Sequence, residues 1–380
     1  MKKANVWKRT LALAASAALL LGCAGCGSSG SGTESGGSGD GTDAYLIGYN
    51  TWGAGVAVFE QMMIEIPFSI ETLGGEASGA SDDFTADTEL NNIKNFVSAG
   101  VDGVLMQCAA STTLSEAISV CESAGIPLAM GIFPSTPEDR AAIESDIYVG
   151  CGYADLVTDG YNAGAEAAEA GYKTAVIIGG NLGDPNNDDR VEGFTDAFES
   201  AGGQVVDTAR CTSPAEALEK ANALLSANRD VDMIYCITSD YVPGTITALE
   251  SLSLEIPVYA SSLSAEVLDY VRNGQIVRTS YGNDLGQGFA VALLFNYLDG
   301  HQILDDEGNV PDLGMVPFRV DAENVEAVVD LFFTDGVHPF SQKMLETLAW
   351  RYNESVTYQD FVDMMDSIES DAVAYLASMQ

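Results

Sequence analysis

The sequence is poor in histidine, with only His301 and His338 among its 380 residues. Neither histidine lies in a predicted strand or directly follows one, so histidine acid–base chemistry and a Ser-His-Asp triad are disfavoured. The chain also lacks the G-x-G-x-x-G order and any G-K-[ST] sequence, which argues against a site for nucleotide phosphates. These absences favour a protein that is not an enzyme and that needs no cofactor.

Basic residues are also few. The chain has 16 Lys and Arg against 56 Asp and Glu, which gives a formal net charge of −40. A body of that charge repels phosphate backbones and anionic lipid surfaces, so nucleic acid is excluded as a partner. So many acids make paired carboxylates unavoidable, but no acidic pair stands at the ends of two predicted strands. A cleft hydrolase is therefore the less favoured alternative.

Metal-binding spacings are missing as well. Apart from Cys23, the cysteines show neither C-x-x-C nor zinc-finger spacing, and we expect them to be free thiols. The loop Asp184–Asp188 has the alternating oxygen-bearing side chains of a calcium loop. It lacks a glycine at the sixth position and an acid at the twelfth, where Thr195 stands. We therefore predict no metal site.

The apolar run from Leu11 to Leu21 is too short to span a bilayer as a helix. It follows four basic residues and fits a secretion signal over residues 1–22. The run ends in Leu20-Leu21-Gly22-Cys23, which resembles the lipobox of bacterial lipoprotein signals. The resemblance implies lipidation of Cys23, with Cys26 as a second candidate and an ordinary cleaved signal as the alternative. We expect an extracytoplasmic protein, on the cell surface or in a periplasm, held at the membrane by lipid.

Residues 23–43 are dominated by Gly, Ser, Thr, Asp and Glu, a composition typical of a flexible tether. From Ala44 onward, apolar runs alternate with helical patterns, which indicates parallel α/β sheets. The predicted strands are Tyr45–Tyr49, Ser69–Leu73, Gly103–Gln107, Pro127–Gly131, Ile147–Val149, Ala175–Ile178, Gln204–Ala209, Met233–Ile237, Pro257–Ser261 and Ile276–Thr279.

The two halves of this region repeat. Val101-Asp102 recurs as Val231-Asp232, and Ile126-Pro127 recurs as Ile256-Pro257, both at an offset of 130 residues. At the same offset, the first predicted strand of the region overlays the strand at Ala175–Ile178. Matches at one common offset predict two lobes of like topology.

The order of short motifs along the chain resembles the type I periplasmic binding proteins, especially the ribose- and galactose-binding group related to the lactose-repressor core. The motifs that carry the resemblance are Ala99-Gly100-Val101-Asp102-Gly103-Val104, Ala124-Gly125-Ile126-Pro127-Leu128, Tyr148-Val149-Gly150, Arg190-Val191-Glu192-Gly193-Phe194, Asn273-Gly274-Gln275-Ile276 and Val316-Pro317-Phe318-Arg319-Val320. The resemblance spans about residues 44–320.

This resemblance implies an α/β fold of two Rossmann-like lobes with parallel sheets, joined by a three-segment hinge. Lobe I would comprise residues 44–150 and 283–316, and lobe II residues 151–281. A C-terminal helical extension would follow over residues 317–380, with helices at Ala322–Phe333, Phe340–Tyr352 and Asp360–Met379. Closure of the lobes would bury a small ligand at the carboxyl ends of the strands.

Candidate ligand contacts follow the predicted strands, where aromatic faces and polar groups would meet a sugar. They are Asn50, Trp52, Gln107, Phe133, Arg190, Thr238, Asp240, Ser262, Tyr281 and Asn283. Arg190 lies four residues before Phe194, where the family resemblance implies an arginine that reaches the cleft. The chain departs from the family pattern at two of these places. Ile132-Phe133 replaces an Asp-Arg pair common in relatives, and Ser261-Ser262 replaces a Phe-Asp pair.

The resulting hypothesis is a monomeric substrate-binding lipoprotein that delivers a monosaccharide or sugar derivative to the permease of an ABC importer. Because type I folds also accept other solutes, an amino acid, a nucleoside or an autoinducer is an alternative ligand. A ligand sensor that signals to a membrane receptor is an alternative role.

Overall fold

The computed structural model describes residues 44–108, 111–132 and 136–380. The predicted signal over residues 1–22, the tether over 23–43 with lipidated Cys23, and the candidate contact Phe133 lie outside the described residues. Within the described ranges, no helix has the length and hydropathy needed to cross a membrane. The cysteines of these ranges, Cys108, Cys121, Cys151, Cys211 and Cys236, are all buried.

Strands and helices alternate along the described chain. The strands are β1 Leu46–Thr51, β2 Glu76–Ser81, β3 Gly103–Met106, β4 Leu128–Ile132, β5 Tyr148–Ala154, β6 Thr174–Gly179, β7 Gln204–Arg210, β8 Met233–Cys236, β9 Val258–Ala260, β10 Thr279–Tyr281, β11 Asp312–Met315 and β12 Phe318–Val320. The helices are α1 Ala57–Thr72, α2 Ala86–Ala99, α3 Ser111–Ala124, α4 Pro137–Ala141, α5 Leu156–Glu169, α6 Pro185–Ser200, α7 Ala217–Ala227, α8 Val242–Leu252, α9 Ala265–Arg272, α10 Gly286–Leu298, α11 Val325–Phe332, α12 Gln342–Leu348 and α13 Tyr358–Met379.

Two parallel sheets define the two lobes. The first sheet has the order β11-β5-β4-β3-β1-β2, and the second has the order β7-β6-β8-β9. The strand β10 follows the second lobe and pairs antiparallel with β12, so the chain between the lobes is braced by a small ribbon. This architecture confirms the predicted α/β fold of two lobes with parallel sheets. The strand β5 continues to Ala154 within the first sheet, past the predicted lobe boundary at residue 150.

The internal duplication has a structural counterpart in each lobe. Asp102 accepts a hydrogen bond at Oδ2 from the backbone N–H of Leu46 at 2.7 Å. Asp232, at the repeated position, accepts at Oδ2 from the N–H of Thr174 at 2.9 Å. Both aspartates therefore hold the entry of the first strand of their own lobe. The Ile-Pro repeat also makes equivalent hydrogen bonds in the two lobes. Pro127 O accepts from Val104 N, and Pro257 O accepts from Ile234 N, both at 2.9 Å.

The predicted strand at Ser69–Leu73 is wrong, since α1 continues to Thr72. The residues Met62, Ile66, Ile70 and Leu73 recur at helical spacing, and each is at most 1 % exposed. The true second strand, β2, has the sequence EASGAS and lies at the edge of its sheet. Its small and polar side chains lack the apolar alternation that marks a strand. The apolar residues at the end of α1 were therefore predicted as the second strand in its place.

The C-terminal extension forms three helices where the sequence predicts them; α11 and α12 are shorter than predicted, and α13 begins two residues earlier, at Tyr358. The helix α12 packs on α1 and α10, and α13 packs on β11, so the extension covers lobe I. Phe289 of α10 is contacted edge-to-face by Phe340, with ring centroids 5.0 Å apart. Asn296 of α10 donates to Leu348 O at 2.8 Å and accepts from Trp350 N at 2.6 Å. The same extension also contacts lobe II, where α11 packs against α9.

Candidate functional site

A cavity of about 60 Å³ lies at the carboxyl ends of β1 and β8, between the two lobes. Side chains from lobe I, lobe II, the hinge and the extension all reach it, and we call it the cleft cavity. Its lining residues are Val56, Val58, Gln61, Thr238, Ser239, Asp240, Ser262, Leu263, Tyr281, Asn283, Asp284 and Phe333. Open α/β sheets place ligands at the carboxyl ends of their strands, so this cavity is the candidate binding site.

The structure brings five of the predicted contacts together around the cleft cavity. They are Thr238, Asp240, Ser262, Tyr281 and Asn283. The Tyr281 ring is packed edge-to-face against Phe332, with centroids 4.7 Å apart, and stacks with Phe333 at 5.8 Å. The Tyr281 and Phe333 rings therefore form an aromatic part of the cavity wall.

Ser262 links lobe II to the hinge. Its φ of 65° places the backbone in the left-handed region, which a residue with a Cβ adopts only at some cost. Thr279 Oγ1 donates to Ser262 O at 2.6 Å, and Asn283 Nδ2 donates weakly to Ser262 Oγ at 3.5 Å. The strained turn is held by these contacts, and it presents the Ser262 hydroxyl at the cavity.

Asp284 is the most unusual residue of the cavity. Its side chain is buried, with the residue 3 % exposed, yet neither carboxyl oxygen has a hydrogen-bond partner. Burial, followed by the nearby charge of Glu65, raises the pKa of Asp284 to about 7. Because a buried polar group without a partner is costly, this carboxyl is a candidate for contact with a ligand.

Glu65 of α1 forms a second buried acid behind the cavity. Burial raises its pKa to about 7, although a hydrogen bond from Gln61 Nε2 to Oε1, at 2.9 Å, opposes that effect. His338 Nδ1 lies 3.0 Å from Glu65 Oε2, and the His338 ring stacks on Phe68 at 3.5 Å. Burial lowers the pKa of His338. His338 of the extension therefore packs against Glu65, whose charge acts on Asp284.

The raised pKa of Asp284 predicts how stability depends on pH. An acid whose folded pKa lies above its unfolded value binds its proton more tightly in the folded state, so it stabilises the fold at low pH. That contribution is lost as pH rises from about 4 to about 7. The near-isosteric variant Asp284→Asn has no titratable side chain at this position.

We therefore expect Asp284→Asn to gain stability relative to the parent protein as pH rises from 4.5 to 8. About 2.5 pH units separate pH 4.5 from the folded pKa, and each is worth about 1.4 kcal/mol, so the gain should reach ~3 kcal/mol. Urea denaturation of the ligand-free protein at several pH values measures it. A difference between the two proteins that stays constant with pH would contradict a raised pKa.

Asn50 and Gln107 lie inside lobe I instead of lining the cleft cavity. Asn50 Nδ2 donates to Asp82 Oδ2 at 2.6 Å and to Gln107 O at 2.9 Å, while Asn50 Oδ1 accepts from Gln107 N. Gln107 Oε1 in turn accepts from the backbone N–H of Trp52 at 3.2 Å. These bonds connect the ends of β1, β2 and β3, so both amides shape the rim of lobe I. The Trp52 ring, half-buried, packs edge-to-face on Phe84.

Arg190 is also placed away from the cleft cavity, between α5 and α6. Its Nε donates to Asp159 Oδ2 at 2.7 Å, and the two side chains are 7 % and 0 % exposed. The partner Asp159 lies on α5, 31 residues earlier in the chain. In this conformation the guanidinium joins two helices of lobe II.

Several lining residues were missed from the sequence. Asp284 directly follows the predicted contact Asn283, so its position next to that residue was a signal in the sequence. Gln61 and Val58 belong to the start of α1, and Phe333 belongs to the extension. No local signal marks Phe333, since only the docking of the extension brings it to the cavity.

Comparison with known proteins agrees with the observed architecture. The sequence profile of a family described as "Periplasmic binding protein domain" matches residues 52–302. The HTH-type transcriptional repressor PurR of Actinobacillus pleuropneumoniae serotype 5b is 25% identical over 174 residues, 45% of this chain and 48% of that protein. The chain thus spans about half the length of the curated relatives it matches.

Solved structures share the fold at low identity. The periplasmic binding component of the arabinose ABC transporter from Shewanella sp. ANA-3, bound to L-arabinofuranose, has a TM-score of 0.65 at 13% identity, covering 75% of this chain and 94% of its own. A galactofuranose binding protein has a TM-score of 0.64 at 15% identity, covering 76% and 98%. A solute binding protein from Actinobacillus succinogenes 130z with bound D-allose has a TM-score of 0.64 at 18% identity, covering 74% and 99%.

Proposed function

Since this chain belongs to the periplasmic binding protein domain family, whose location is extracytoplasmic, we propose that it captures a monosaccharide or sugar derivative and releases it unchanged to an ABC importer. We further propose that lipid on Cys23 holds it at the membrane, with residues 23–43 as the tether. The observation that carries the proposal is the cleft cavity, which side chains of both lobes, the hinge and the extension line together.

The lining suits a polyol. Aromatic rings cover the C–H faces of a sugar, and here Tyr281 and Phe333 form such a wall. Hydroxyl and amide groups satisfy sugar hydroxyls in a closed cleft, and Thr238, Ser262 and Asn283 supply them. Structural neighbours with arabinofuranose and allose in their structures support a sugar ligand for this chain.

Binding and release need a hinge. The lobes are joined where the chain passes from β5 to α5, from β10 to α10 and from β11 to β12. Gly282, in the second of these connections, has a φ of 108°, a conformation that residues with a Cβ rarely adopt. A change of backbone angles at these points would open the cleft without disturbing either sheet.

A thermal-shift screen of the purified protein against monosaccharides, amino acids and nucleosides tests the ligand class. We expect a monosaccharide to raise the melting temperature, because ligand at 100 times its Kd stabilises the folded state by about 2.7 kcal/mol. Chromatography of the ligand recovered after incubation should show the same compound. A response to amino acids or nucleosides alone, or a chemically altered product, would contradict the proposal.

The variant Phe333→Ala tests whether the cleft cavity is the site. We expect at least tenfold weaker sugar binding by isothermal titration, since the variant lacks the aromatic ring that would cover a C–H face of the sugar. Leu182→Ala is the matched control, because Leu182 is 78 % exposed and does not line the cavity. Equal affinities of the two variants would place the site elsewhere.

A further inference from the structure

Buried acceptor atoms without donors are concentrated at the hinge side of the cleft cavity. Asp284 Oδ1, Asp284 Oδ2 and Asn283 Oδ1 have no hydrogen-bond partner, and the two residues are 3 % and 5 % exposed. Both residues line the cavity. In the next turn, Gln287 Oε1 is also buried and without a partner. Because buried polar groups in folded proteins are nearly always paired, these oxygens indicate hydrogen-bond donors on the ligand.

The charges around these acceptors have one sign. Among the described residues that line the cavity, none is Lys, Arg or His, whereas Asp240 and Asp284 are both acids. Glu65 lies close enough to Asp284 for its charge to act on the pKa of that carboxyl. Gln61 donates one N–H of its amide to Glu65 at 2.9 Å, and no hydrogen bond joins it to either carboxyl oxygen of Asp284. The site thus has excess acceptors and excess negative charge.

From this arrangement we infer that the ligand of the cleft cavity is an amino sugar whose ammonium group is held by the carboxylate of Asp284. The inference rests on the proposed function, namely that a sugar-type solute binds in this cavity, and it specifies the class of that sugar. An ammonium group has three N–H donors and no acceptor. It therefore matches a set of oxygens that only accept.

A neutral hydroxyl matches this part of the cavity less well. Each hydroxyl brings one donor and two lone pairs, and the lone pairs need donors of their own. The hydroxyl donors that lobe II contributes to the cavity lining are those of Thr238, Ser239 and Ser262. A sugar with hydroxyls toward lobe II and an ammonium toward the hinge would use both sides. The Tyr281 and Phe333 rings would also attract a cation placed over their faces.

Isothermal titration with matched sugars tests the inference on the purified protein. The probes are D-glucosamine, D-glucose and N-acetyl-D-glucosamine, with the corresponding galactose and mannose series. Within the series that binds, we expect the amino sugar to bind at least 30-fold more tightly than both its neutral parent and its N-acetyl derivative, which has lost the charge.

The variant Asp284→Asn should lower amino-sugar affinity at least 30-fold, because it keeps the shape of the side chain and removes its charge. Asp366→Asn, on the exposed face of α13, changes the net charge equally and should leave the affinity as it is. Circular dichroism of each variant verifies that it is folded.

The outcomes separate the two proposals. Tightest binding of a neutral parent sugar would overturn the amino-sugar inference and leave the proposed function standing. An amino-sugar preference that survives Asp284→Asn would overturn the role of Asp284. No binding by any sugar of the three series would count against the proposed function, and the inference would fall with it.

Discussion

Replacing Arg190 by methionine is expected to destabilise the protein by about 3–5 kcal/mol, although no ligand is involved. The guanidinium is paired at 2.7 Å with Asp159, whose side chain is fully buried. Removing one partner of such a pair leaves an uncompensated buried charge, which is the costly event. Asp159→Leu should therefore destabilise the protein by a similar amount, and urea denaturation measures both.

The double variant Asp159→Leu with Arg190→Met should recover much of the loss. Replacing both charges by apolar side chains removes the desolvation cost together with the attraction. Arg272→Met is the matched control, since Arg272 pairs with Glu326 at side-chain exposures of 32 % and 73 %. An exposed pair is worth about 0–1 kcal/mol. If Arg190→Met costs no more than Arg272→Met, the pair does not hold α5 and α6 together.

Gly193→Ala is expected to destabilise lobe II by about 3 kcal/mol, although alanine has the higher helix propensity. In an open helix, alanine is favoured over glycine by about 1 kcal/mol. Here a Cβ at residue 193 would lie 2.0 Å from Val157 O and 2.8 Å from Tyr161 N. These are backbone atoms of α5, which cannot move aside as a flexible side chain would. Overpacking of this kind commonly costs 1–3 kcal/mol.

The close approach of α5 and α6 is repeated along the helix pair. A Cβ at Gly160 would lie 2.3 Å from Arg190 O, and one at Gly164 would lie 2.4 Å from Phe194 O. Asp196→Ala, exposed on the same helix as Gly193, is the control and should change the free energy of unfolding by less than ~0.5 kcal/mol. A Gly193→Ala protein as stable as the Asp196→Ala protein would refute the backbone contact. Denaturation in urea distinguishes them.

The candidate site could be predicted in part. Thr238 and Ser262 follow strands β8 and β9, and a parallel sheet brings strand ends to one edge. Tyr281 ends β10 of the ribbon and also lines the cavity. Asn50 lies near the end of β1 and Gln107 directly follows β3, yet the Asn50 side chain bonds to the backbone of Gln107. A polar residue at a strand end looks the same in a sequence whether it faces a ligand or a neighbouring strand. The difference depends on which partner is in reach.

The amino-acid sequence by itself determined the alternation of strands and helices, the duplication at an offset of 130 residues and the three C-terminal helices. Such features depend on periodic burial and on turns formed by neighbouring residues, so they can be read along the chain. Only the tertiary structure decided that Arg190 meets Asp159, that Phe333 reaches the cleft cavity and that Asp284 is left without a donor. Pairing and burial of these groups depend on segments far apart in the chain, and their position is set by how helices and lobes pack.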